Sequence, residues 1–149
     1  MNRTFKKINL SELFCAAILS SIAVPASAAT QWHPVARVNG VEVAIDEKSK
    51  RYDRGTPLDK EGDRRKVHVL YSYGSPQRDS LGNRFYSETF VDEVHCSRRT
   101  VTTLSTKRYA LPGAQGAMVY SYKLRALSPQ PIEPGTVNER IMETFVCDN

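Results

Sequence analysis

Between residues 32 and 45 the chain places β-branched Val35, Val38, Val41, Val43 and Ile45 on either side of Asn39-Gly40. A two-residue turn joining antiparallel strands needs positive φ at both positions, which Asn and Gly accept at least cost, so this segment reads as a hairpin. From 65 to 73, Val67, Val69, Tyr71 and Tyr73 alternate with Lys66, His68, Leu70 and Ser72, the period of a strand whose second face starts polar. Over 84–96 neither alternating set is cleanly apolar: Phe85, Ser87, Thr89, Val91, Glu93 and His95 oppose Tyr86, Glu88, Phe90, Asp92, Val94 and Cys96. That mixture suggests a bulge or a strand exposed at one end. Residues 99–110, rich in Val and Thr, and 117–127 complete the strand pattern.

The connecting segments carry turn chemistry. Lys48, Lys50, Arg51, Gly55, Pro57 and Gly62 crowd 46–62, which reads as irregular with a short strand around Arg51 and Tyr52 and a solvated turn at 60–63. Loops are expected at 74–83 (Gly74, Pro76, Gly82, Asn83) and at 112–116, and Pro129, Pro131 and Pro134 mark an extended linker in which no helix persists. The C-terminus changes period. Thr136 with Glu139 has the Thr-x-x-Glu spacing of a capping box, and Val137, Ile141 and Phe145 recur every four residues with Met142 and Val146 beside them, which predicts an amphipathic helix. The expected fold is α+β, mainly β: about six antiparallel strands with one C-terminal helix packed on a face of the sheet.

The first 28 residues stand apart. Arg3, Lys6 and Lys7 precede an apolar run at 13–24 and the small residues Pro25-Ala26-Ser27-Ala28, the order of a secretory signal cut between Ala28 and Ala29. The run falls short of the ~20 apolar residues that span a bilayer and is interrupted by Ser20 and Ser21, so no stable membrane anchor is expected in the mature form. Glu12-Leu13-Phe14 before Cys15 is not the small and aliphatic context that lipidation requires, and Cys15 is expected to leave with the leader. Removing 28 of 149 residues leaves a single domain, 29–149, of 121 residues, and losing Arg3, Lys6, Lys7 and Glu12 takes the formal charge from +5 to +3. The expected location is the periplasm, with the cell surface or the exterior as alternatives. Export and a small net charge argue against nucleic acid as a partner.

The mature chain keeps Cys96 and Cys147. An even pair in an exported protein reads first as a disulfide, here closing a 51-residue separation and stabilising the fold by roughly 4 kcal/mol on chain-entropy grounds. A metal site and a nucleophilic thiol are the competing readings. Neither cysteine has Cys-x-x-Cys or Cys-x-x-His spacing, and no metal or cofactor is expected. The histidines, His33, His68 and His95, fall on strands or strand edges, and no recognisable nucleophile elbow, zinc-binding or phosphate-loop motif occurs.

Basic residues gather at Arg64-Arg65-Lys66 and at Lys107-Arg108, with smaller groups at 48–51 and 98–99. Three adjacent cations can meet an anionic polymer, and Arg64, Arg65 and Lys66, extended by Lys107 and Arg108 if their strands end on the same side, are the candidate binding residues. The structural alternative is a solvated strand end that blocks edge-to-edge pairing. Tyr71, Tyr73, Tyr86, Tyr120 and Tyr122 lie on strands, where aromatics make either a binding face or cross-strand packing. These features favour a non-enzymatic binding module for protein or anionic polymer. A structural or stress-related envelope protein without a tight ligand comes second, and an unrecognised hydrolase third.

Trp32, Ile45-Asp46 with Ser49, Tyr86-Ser87, the block from Asp92 through Glu93, Val94, His95, Cys96, Ser97, Arg98 and Arg99, Leu104-Ser105, Tyr109, Pro134-Gly135-Thr136 and Val146-Cys147 resemble the surface-adhesin protein E family of Gram-negative bacteria. The likeness covers nearly all of the mature chain and rests on spaced structural residues. It implies a six-stranded antiparallel sheet with a C-terminal helix and pairing of the two cysteines and, for the family's namesake, an outer-membrane lipoprotein that adheres to host matrix proteins and pairs into dimers; the lipidation signal of that namesake is missing here, which points to the periplasm. The family block usually reads Asp-Cys. Here His95 precedes Cys96, leaving the carboxylate's place to Asp92 or Glu93 or unfilled.

Overall fold

Asn39 and Gly40, at φ of 50° and 77°, turn β1 (His33–Val38) into β2 (Val41–Tyr52), as the Asn-Gly pair predicts. The computed structural model describes residues 30–52, 63–124 and 128–147. The leader expected at 1–28, the first three residues of the turn expected at 60–63 and the last three of the strand expected at 117–127 lie outside the described residues. β3 (Arg64–Arg78), β4 (Arg84–His95), β5 (Thr100–Leu111) and β6 (Gln115–Lys123) follow, and the six form an antiparallel meander in sequence order. Each strand therefore pairs with its neighbours in the chain, and register passes directly from one to the next.

Three departures from the sequence expectation have local causes. β2 continues unbroken past Asp46, because an irregularity in its pairing with β3 between Asp46 and Arg51 absorbs the polar residues that read as a loop. Ser49 Oγ there accepts a 2.8 Å hydrogen bond from His68 N. β3 runs through Gly74 and Pro76 to Arg78. The expected loop is instead a bulge between Ser72 and Gln77, tied by a 3.2 Å hydrogen bond from Gly74 N to Gly40 O, and only 79–83 forms a turn. The proline linker contributes a short β7 (Gln130–Pro131) beside Thr100 and Val101 of β5, extended by Ile132 N donating to Arg99 O at 2.8 Å. The chain is held extended there, as the prolines require, but on the sheet.

At the C-terminus Thr136 Oγ1 accepts from Glu139 N, and the Glu139 carboxylate accepts from Gly135 N, a capping box whose return bond reaches one residue further back. The helix α1 (Val137–Ile141) widens into a single π turn, Met142–Val146, and Cys147 N donates to Met142 O, five residues back, at 2.7 Å. Ile141, Met142 and Val146 pack on Val43, Ile45, Val67, Val69 and Val94, with Ile132 completing the core. The disulfide joins Cys96, just past β4, to Cys147 with 5.7 Å between Cα atoms, pinning the end of the helical segment to the sheet. α1 and its π turn thus cover one face of β1 to β4 and leave β6 uncovered.

Candidate functional surfaces

The alternation that makes β3 a strand separates the cations of Arg64-Arg65-Lys66. Arg65 shares the core face with Val67 and Val69, is 6% exposed and donates to the Val146 carbonyl at the C-terminal end of the helical segment. Arg64 and Lys66 point to the other face and meet one carboxylate, Glu93 on β4, at 3.7 and 3.8 Å. The run is therefore a strut, Arg65, and a strand end whose two cations share one carboxylate. Lys107 and Arg108 do not extend it: they pair with Thr89 and Glu88, several residues along β4 from the partners of Arg64 and Lys66. Arg108 Nε donates to Glu88 at 3.1 Å, and its guanidinium lies over Phe85 and Tyr120 at 4.7 and 5.1 Å from the ring centres. Lys107, on the opposite face, has hydroxyl residues as cross-strand neighbours, Thr89 and Ser121.

The carboxylate near His95 comes from neither Asp92 nor Glu93. Asp63, read from the sequence as part of a solvated turn, places Oδ2 3.1 Å from His95 Nδ1 and accepts from Ser97 N at 2.8 Å and from Ser97 Oγ at 2.7 Å. Its backbone carbonyl accepts from Cys96 N at 2.9 Å, so one aspartate organises the turn carrying the disulfide. Asp92 is instead buried within the sheet, where it accepts a 2.7 Å hydrogen bond from Thr103 Oγ1. Burial pushes its carboxyl up to about 6 against the opposing effect of that bond.

Past the helix, the same face of the sheet carries an aromatic shelf. Tyr71 meets Phe90 edge-on, Tyr73 meets Phe85 edge-on, and Tyr120 stacks on Tyr122 with ring centres 6.4 Å apart. Glu88 ties the shelf together by accepting from both Tyr73 and Arg108. Burial, followed by that bond to Glu88, raises the Tyr73 phenol well above its ordinary range and keeps it a hydrogen-bond donor. The shelf ends at β6, which among the described residues pairs only with β5 and exposes Met118 (54%), Val119, Tyr122 (49%) and Leu124 just beyond it. The opposite edge, β1, has α1 beside it, and Arg140 donates to the Val35 carbonyl at 3.4 Å.

The sequence profile described as surface-adhesin protein E matches residues 32–148. The chain belongs to the surface-adhesin protein E family. Solved structures of Haemophilus influenzae protein E share the fold. One aligns with a TM-score of 0.53 at 14% identity, covering 78% of this chain and 93% of that one. A second crystal form aligns at 0.52 and 16% identity, covering 75% and 91%. No curated protein sequence matches the chain. The family membership makes this an adhesin-like binding protein, built on the sheet, helix and disulfide that the resemblance implies. Among the described residues no helix is long and apolar enough to cross a membrane, and no group of His, Cys, Asp and Glu has the arrangement of a metal site.

Proposed function

We propose that this chain is an exported, non-enzymatic binding module that docks a protein partner along the open edge of β6. The observation that carries this reading is the asymmetry of the two sheet edges. α1 and Arg140 attend the β1 edge, whereas among the described residues no strand pairs with the outer side of β6, which is bordered by Met118, Tyr122 and Leu124. Exposed sheet edges are usually blunted by charge, proline or a covering element, and an apolar one invites an added strand. The rigid aromatic shelf behind it supplies anchors of the kind that dominate protein interfaces. Membership of a surface-adhesin family supports a host extracellular protein as the partner class. The Arg64-Arg65-Lys66 run supports an anionic-polymer partner less well, since Arg64 and Lys66 already share the Glu93 carboxylate and Arg65 is buried.

The test uses the mature protein, purified from the periplasm or culture medium, over an immobilised basement-membrane extract. Tyr122→Lys combined with Leu124→Lys is expected to weaken binding about tenfold or more, since loss of an interface anchor typically costs 2 kcal/mol or above. Equal binding by the variant, with its melting temperature unchanged, would overturn the β6 assignment. Sedimentation of both proteins shows whether the same edge pairs two copies of the chain.

A further inference from the structure

A second concave surface lies on the sheet face opposite the helix and reaches Gln115 at the start of β6. His68, Val91 and Ser105 in one cross-strand row, Thr89 and Lys107 in the next and Tyr109 in a third line it, with Leu70 and Ser87 of the same rows buried. Trp32, just before β1, lines it, and residues of the turn after β5 line it elsewhere, giving a groove of about 450 Å³. That volume is within the roughly 300–1,000 Å³ of small-molecule sites. The turn is a built wall. Ser87, fully buried, donates to Leu111 O at 2.6 Å and accepts from Ala114 N at 3.0 Å, while Ser72 Oγ accepts from Gly113 N at 3.1 Å.

The geometry points to an acidic oligosaccharide as the ligand of this groove. Sugar rings present partly positive C–H groups on their faces and hydroxyls around their rims. Trp32 and Tyr109 offer negative ring faces for the former, and Thr89 and Ser105 offer donors and acceptors for the latter. Lys107 supplies the charge selection. Unlike Arg64, Lys66 and Arg108, it has hydroxyl side chains, not a carboxylate, as its cross-strand neighbours, and among the described residues no Asp or Glu lines the groove. A purely apolar ligand would leave these hydroxyls and the ammonium without partners, which disfavours it.

Trp32 is the sole tryptophan of the chain and also lines a smaller concavity beside Glu47 and Lys48, so its fluorescence reports binding and the Lys107→Ala variant assigns it to this groove. Titration of the mature protein with hyaluronan tetrasaccharide, whose uronic acids carry the charge, is expected to shift Trp32 emission saturably. Uncharged chitotetraose is expected to bind about tenfold more weakly, as is hyaluronan tetrasaccharide to Lys107→Ala, since a lost charge-assisted hydrogen bond has that effect. Lys66→Ala serves as a charge-matched control and should bind like wild type. The proposal is overturned if emission does not change with hyaluronan tetrasaccharide, if chitotetraose binds equally well, or if Lys107→Ala and Lys66→Ala respond alike. The β6 variant is expected to titrate normally, which separates this site from the protein-docking edge.

Discussion

Replacing Asp92 with Asn is expected to stabilise the protein at neutral pH by about 3 kcal/mol at most, and to do little in acid. The Asp92 carboxyl is buried in the sheet with Thr103 donating to it, and its folded-state value of about 6 lies above the ordinary 3.8. Because the folded state binds this proton more tightly than the unfolded chain, the protonated form stabilises the fold fully below pH ~4. That contribution is lost as pH rises through 6, and above it the buried charge is a constant penalty. Asparagine keeps an acceptor for Thr103 and removes the charge. Urea unfolding at pH 7.5 should therefore show a higher midpoint for Asp92→Asn, with the two curves converging by pH 4. A constant offset between them at both pH values would contradict the assignment of the penalty to this carboxylate.

Cys147→Ala is expected to destabilise the domain by roughly 2 to 5 kcal/mol, read from urea unfolding of protein oxidised during export. The cross-link encloses 51 residues of separation, including β5, β6, β7 and the helix, so breaking it releases much of the unfolded chain's entropy. The native fold should nevertheless persist in mild conditions, because Val146, Met142 and Ile141 remain packed on β2, β3 and β4. An unchanged unfolding midpoint would mean that this packing, with Arg65 bonded to the Val146 carbonyl, holds the helical segment unaided.

Sequence patterning carried the fold where one local device decides the backbone. Asn39-Gly40 set the first turn, Thr136 with Glu139 set the start of α1, and the two cysteines met as their spacing and compartment suggested. It misplaced features that depend on what lies across the sheet. Gly74 and Pro76 are loop residues in isolation, but pairing of Gln77 and Arg78 with Phe85 and Arg84 keeps them in a bulged strand. Pro131 can sit in the sheet because it occupies only its short last strand, beside Thr100.

The candidate binding residues show the same division. Arg65 keeps step with Val67, Val69 and Tyr71, so strand parity alone places it on the core face, and counting adjacent charges obscured this. Asp63 and the wall made by Ser72 and Ser87 left no comparable trace, since each acts on residues distant in sequence. Lys107 and Arg108 are neighbours in sequence but lie on opposite faces, one in the groove and one in the aromatic shelf.

We place the docking of a protein partner at the β6 edge. A photoreactive phenylalanine analogue placed at Tyr122 on β6, or at Arg37 on exposed β1, tests it in cells exporting the full chain over a basement-membrane extract. Illumination is expected to yield a discrete protein adduct from position 122 and none from position 37. Adducts from position 37 alone, or equally from both edges, would contradict it.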